Sequence, residues 1–189
     1  AMTWDSRNIL SIKPATSGNI ASAGINFTWS QLTDSQKALL GNNENLFNYL
    51  RGDRSLELTS SNPNGQFRER GSRLGDIVNS DPQYVYQQDY GYQRLASWNN
   101  EVANKYKLFR EAPGYKNRIP LVIVGANDGM LHAFDASLDK PASGSEVFAF
   151  VPNAAYTHLS QLADPNYSHR YHVDGTPRVS DAWLGDRWA

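Results

Sequence analysis

LVIVGANDGMLHAFDASLDKPASGSEVFAFV, residues 121–151, is the stretch whose reading decides the fold. A short apolar run at 121–124 meets Gly125-Ala126-Asn127-Asp128-Gly129, and a second run at 130–134 follows directly. Asp-Gly between two hydrophobic runs signals a hairpin, because a type I′ turn needs positive φ that glycine tolerates. A polar loop with Pro141 and Gly144 then leads into a third run at 147–151. Three short strands with tight links predict an antiparallel meander. Both sides of these strands are apolar, so the meander is expected to be covered on two faces, unlike a one-sided surface hairpin.

Outward from this centre the signals thin. Residues 4–12 alternate locally and predict an entering strand, and the Ser-, Gly-, Ala- and Asn-rich stretch 11–26 reads as a loop or exposed hairpin. Thr33 followed three residues later by Gln36 is a capping box, with Gly41 as the stop and Ala38, Leu39 and Leu40 on the inner side. A second short helix over 44–50 buries Leu46, Phe47 and Leu50 and exits at Gly52. Residues 58–70 read as a surface loop. The stretch 77–86 is a broken strand, with Pro82 implying an edge, a bend or a bulge. Trp98, Val102, Tyr106 and Phe109 recur at helical spacing, predicting a helix that packs on the sheet and stops at Pro113-Gly114. A further helix is expected over 154–162 with Asn153 as cap. A last hairpin is expected around Asp174-Gly175, joining 171–173 to 178–183.

Composition excludes several classes of function. Lys and Arg number 18 against 19 Asp and Glu, a net charge of −1 with no basic footprint for nucleic acid. No run approaches the roughly 18 apolar residues of a spanning helix. No signal peptide opens the chain, and Ala1-Met2 reads as an expression scar. With no cysteine, disulfides and thiolate chemistry are excluded. No Gly-x-Ser-x-Gly elbow, Walker loop or His-Glu-x-x-His is present, so no catalytic residue is assigned. Asn127, Asp128, Gly129, Asp174 and Gly175 read as structural turn residues. His169 and His172 are three apart beside turn signals, and strand geometry would point them opposite ways, so no metal site is assigned. His132 reads as an ordinary half-buried strand histidine. Arg51-Gly52-Asp53 carries two readings: an exposed integrin-type receptor motif, or a helix exit with Gly52 as cap and local pairs for Arg51 and Asp53.

The central segment Val124 to Ala136 resembles a blade of the quinoprotein-type β-propellers. More narrowly, it resembles the C-terminal propeller of the PilC/PilY family of type IV pilus assembly and tip-adhesin proteins. Further segments resemble that family in order: Leu50-Arg51-Gly52-Asp53-Arg54-Ser55, Leu74-Gly75-Asp76-Ile77-Val78-Asn79-Ser80, Phe148-Ala149-Phe150-Val151-Pro152 and Val173-Asp174-Gly175-Thr176-Pro177. The resemblance implies a mainly β fold with short helical insertions, a partial β-propeller of antiparallel blades. Residues 1–70 would lead into the domain and 71–189 would form its first blades, as one unit. About seven or eight strand candidates fall short of the roughly four blades of four strands that a closed propeller needs. Either another chain completes the fold or a compact subdomain tolerates the cut.

The implied function is a non-enzymatic module of pilus biogenesis and adhesion. Its implied partners are pilus subunits and minor pilins, with a host integrin or other surface receptor in addition. The implied location is the bacterial surface, pilus tip or outer membrane, reached through the periplasm. A quinoprotein-like periplasmic enzyme is the rival reading. The family's calcium is associated with an Asp- and Asn-rich loop farther along the propeller, and no such run occurs here, so no cofactor is expected in this chain.

Overall fold

The computed structural model describes residues 3–15 and 23–189. The chain enters as β1 (Ile9–Ile12), which pairs antiparallel with β2 (Gly24–Asn26), Leu10 facing Asn26. The stretch expected as loop or hairpin therefore ends in a strand; its residues 16–22 lie outside the described residues. α1 (Asp34–Leu39) starts with the reciprocal cap expected of it. Gln36 N donates to the Thr33 hydroxyl at 3.2 Å, and Thr33 N donates to the Gln36 side-chain oxygen at 3.1 Å. Its inner side is not the expected one. Ala38 and Leu39 are exposed, while Gln36 is buried and donates to Ile12 O at 3.0 Å; Leu40, just past the helix, is also buried. Six residues are too few for an apolar stripe, and a polar anchor sets the helix in place.

α2 (Glu44–Arg51) is capped by Asn43 and closed by Gly52 at φ +116°. Its Leu46, Phe47 and Leu50 enter the main core with Phe27, Leu40 and Tyr156. Full burial of a side chain such as Phe27 contributes roughly 1.5–3 kcal/mol. β3 (Gln83–Val85) begins directly after Pro82 and lies at the sheet edge, which a proline tolerates.

α3 (Asn100–Glu111) buries Val102 and Tyr106 as its spacing requires, yet it does not pack on the sheet. Those residues join Trp188, Tyr92, Phe109 and Trp183 in a separate aromatic cluster, and Trp98 is 74% exposed. α3 stops at Glu111 just ahead of Pro113, as expected, with Ala112 extended; Pro113 then opens the short α4 (Pro113–Lys116) in its first turn, where its missing N–H costs nothing.

β4 (Leu121–Gly125), β5 (Leu131–Asp135) and β6 (Glu146–Val151) form the expected meander, with Val124 opposite His132 and Ala133 opposite Phe148. Many of its residues are buried or half-buried. The sheet order is β2-β1-β6-β5-β4-β3. β1 lies parallel to β6, Leu10 facing Phe150, so the sheet is mixed rather than wholly antiparallel. Among the described residues the named strands make one open six-stranded sheet. Residues before and after position 70 share it.

The helix expected over 154–162 is three short pieces: a 3₁₀ turn at Asn153–Ala155, α5 (Tyr156–Leu159) and a 3₁₀ turn at Ser160–Ala163. Asn153 does not cap it; its oxygen accepts from Gln36 Nε2 at 3.3 Å. The hairpin expected around Asp174-Gly175 does not form, and only a lone bridge joins Trp183 to Trp188.

Candidate functional site

The β4–β5 turn is where distant parts of the chain meet. Gly129 N donates to Ala126 O at 3.2 Å, Ala126 N donates to Met130 O at 3.0 Å, and Gly129 alone has positive φ, +87°. This is a type I turn closed by a left-handed glycine, not the type I′ turn expected from Asp-Gly. The loop is one residue longer, which moves the positive φ past Asp128 onto glycine. Asp128 Oδ1 accepts from Met130 N at 3.1 Å and fixes the bend.

Two flanking segments grip this turn. From one side, Gly75 N donates to Asp128 Oδ2 at 3.0 Å, Asn127 N to Asp76 O at 3.0 Å, and Asn127 Nδ2 to Asp76 Oδ2 at 3.0 Å. The backbones touch: a Cβ on Gly75 would lie 2.3 Å from Asp128 N. From the other side, His172 N donates to Asn127 Oδ1 at 3.0 Å. The two segments also bond each other, Asn79 N donating to Asp174 Oδ1 at 3.2 Å and Ser80 Oγ to Gly175 O at 3.2 Å. Asn127, Asp128, Gly129, Asp174 and Gly175 thus come together, with Asp174 and Gly175 acting as acceptors rather than as a hairpin turn.

Beneath the turn lies a buried ionic chain that the sequence did not disclose. Arg7 Nε donates to Glu146 Oε2 at 2.8 Å, and His132 bridges Glu146 Oε1 at 2.8 Å and Asp128 Oδ2 at 3.0 Å. His132 is 1% exposed, so it is fully rather than half buried. Burial alone would push its imidazole down, but the hydrogen bonds and charges of Asp128 and Glu146 lift it to about 9. Burial likewise opposes ionisation of Glu146, yet Arg7 and His132 draw it down to about 2. The histidine is an imidazolium at neutral pH, locked between two carboxylates. A second buried carboxylate, Glu57, is 1% exposed and accepts from Arg70 at 2.7 Å and Arg54 at 2.9 Å. Arg70, which also donates to Tyr49 O at 2.7 Å, ties the end of the loop 58–70, expected to lie on the surface, to α2, and Phe67 within that loop is buried.

The Arg-Gly-Asp tripeptide is not displayed. Arg51 is 7% exposed and gives its guanidinium to the carbonyls of Phe27 and Arg7, the latter at 3.2 Å. Asp53 caps its own loop, accepting from Ser55 N at 2.9 Å and Ser55 Oγ at 3.0 Å. The expectation of an exposed receptor motif is corrected to the other reading, a helix exit with Gly52 as its cap. His169 pairs with Asp76 at 2.8 Å, and burial lowers His172, so the two histidines do different work. Calcium, which the family resemblance implies, does not fit the carboxylates of this region. Asp76, Asp128 and Asp174 each accept hydrogen bonds from protein donors, and no three His, Asp or Glu are grouped to hold a metal among the described residues.

Beside the clamped turn opens a cleft of about 190 Å³. Arg68 and Arg73 line it, with Tyr49, Leu50 and Leu162 below and Asp76 and Asp128 at one side. Arg68 lies over the Tyr167 ring, 4.4 Å from its centroid.

An open mixed sheet, clamped by ion pairs about His132 and bearing a surface cleft, defines a β-sheet scaffold. A family profile described as the PilY1 beta-propeller domain matches residues 74–189. A type IV pilus biogenesis factor PilY1 homolog of Xylella fastidiosa is 45% identical over 148 residues, covering 78% of this chain and 11% of the relative. The type IV pilus biogenesis factor PilY1 of Pseudomonas aeruginosa strain PAK is 36% identical over 207 aligned positions, covering 98% of this chain and 16% of the relative. The chain belongs to the type IV pilus biogenesis factor PilY1 family. It spans 11–16% of the length of these relatives. No solved structure gave a significant match.

Proposed function

We propose that this chain is a non-enzymatic scaffold segment of a pilus biogenesis and adhesion factor, forming the opening part of the family's propeller. The observation that carries this reading is the open sheet. Its edge strands β2 and β3 have no second partner among the described residues, while this chain covers 16% of a relative named as a pilus biogenesis factor. Edges left unpaired within a short stretch are natural joining surfaces for the rest of a longer chain. The clamped turn holds that sheet rigid, so its loops present a fixed surface to pilus subunits and minor pilins at the bacterial surface or pilus tip. Calcium, in this reading, belongs to a loop elsewhere in the full-length protein.

Piliation tests it. In a strain carrying the full-length protein, His132→Leu is expected to leave Asp128 without its cation and Glu146 with Arg7 alone, loosen the scaffold and reduce surface pili in sheared fractions. Arg94→Ala, on the exposed surface, is the control. Normal pili with a destabilised domain, shown by protease sensitivity of the secreted protein, would overturn the scaffold role.

A further inference from the structure

Arg68 and Arg73 differ from the other arginines nearby. Each is held by Nε to a main-chain carbonyl, Leu162 O at 3.0 Å for Arg68 and Gly52 O at 2.9 Å for Arg73. Arg68 is further oriented by the face of Tyr167. Arg73 runs against Gly52, where an added Cβ would lie 3.0 Å from its Cδ. A guanidinium anchored at Nε is fixed in direction while its two terminal nitrogens keep their donors. Arg70, by contrast, is fully committed, donating to Glu57, to Tyr49 O and to Asp53 O. The terminal nitrogens of Arg68 and Arg73 meet no acceptor among the described residues.

The carboxylates at the cleft do not supply one. Asp76 is taken by Asn127 and His169, and Asp128 by Gly75, Met130 and His132. The unmet capacity in the cleft is therefore donor capacity. We propose that this cleft is a carboxylate-binding site that takes an acidic peptide segment, with the two arginine forks on the carboxylate and Leu50 and Leu162 beneath the aliphatic part. Size supports a single small group: about 190 Å³ is below the roughly 300–1,000 Å³ of pockets that enclose whole cofactors. The site goes beyond the pilus reading and does not depend on it.

The carboxylate can come from an acidic side chain or from a chain terminus, and the test separates them. The full chain, labelled with ¹⁵N, is titrated with Ac-Gly-Glu-Glu-Gly-NH₂, with Ac-Gly-Gly-Gly-OH and with inorganic phosphate while the arginine Nε–H signals are followed. Saturable shifts at Arg68 and Arg73 are expected with a peptide, and the peptide that gives them names the source. Arg68→Lys with Arg73→Lys keeps the charge, loses the fork and is expected to weaken that binding about tenfold. Arg94→Lys is expected to leave it unchanged. Either single lysine variant carries the same comparison if the double variant unfolds. No shift with either peptide up to millimolar concentration, equal affinity in the lysine variants, or binding of phosphate alone would overturn the site.

Discussion

His132 is the residue on which the centre of the sheet depends, and its protonation has a readable consequence. In the unfolded chain the imidazole titrates near 6.5, and in the fold near 9. Between those values the folded state binds a proton that the unfolded state has released, so stability falls as pH rises. The contribution is fully present below about 6.5 and lost above about 9, and its size is on the order of 3 kcal/mol. Glu146 runs the other way. Its contribution is complete above about 4.5 and lost as pH falls towards about 2. Arg7 and Asp128 are the other charged groups of the cluster, and the Phe134 ring stacks on the imidazole at 5.8 Å. The melting temperature is expected to peak between about pH 4.5 and 6.5 in its dependence on this cluster, then decline towards pH 9. In His132→Gln the decline from 6.5 to 9 should flatten; a parent and variant with parallel profiles would refute the assignment.

The same residue shows where sequence reading stops. His132 and Phe134 share a face by strand alternation, and a regular pairing would set Val147 opposite Phe134. The structure instead pairs Phe134 with Glu146 through a register shift after Ala133. That bulge swings Glu146 onto the histidine's face. Nothing in the local pattern of 131–151 marks the extra residue, so the buried pair was illegible. An acidic residue opening an otherwise apolar run was the one available hint.

At the scale of elements, features encoded within a few neighbouring residues were legible. The Thr33 cap, the Gly52 exit and the order of the three central strands all follow from spacing. Features set by contacts across the chain were not. α3 shows the correct stripe, but the sequence does not say that Trp188 supplies the surface it covers. The strap over the turn is another such case, because its glycine serves a backbone approach rather than a turn. Gly75→Ala puts a methyl group against Asp128 N and must displace one backbone from the other. It is expected to cost about 1–3 kcal/mol in urea unfolding, as overpacking does. Gly71→Ala, four residues earlier, meets nothing within 4 Å and should be near neutral. Amide exchange at Asn127 should quicken in the first variant only; equal stability of the two would show that the strap does not clamp the turn.

At the scale of the whole molecule, β1 decides whether the sheet is a self-contained layer. It sits between β2 and β6, and Ser11, buried within it, bonds both Val151 O and the Tyr156 hydroxyl at 2.9 Å. Removing residues 1–12 takes away the parallel partner of β6 and leaves β2 with nothing to pair. β6 then becomes an exposed apolar edge carrying Val147, Ala149 and Val151. An edge of that kind recruits another chain by the same hydrogen bonds that β1 made. The truncated chain should therefore scatter light as larger species than the parent, and a synthetic peptide of residues 3–15 should reverse this by restoring the missing strand. A truncated chain that stays in the parent's association state with the parent's unfolding midpoint would mean that β1 is an appendage, and that the joining surface of this segment lies at β3 alone.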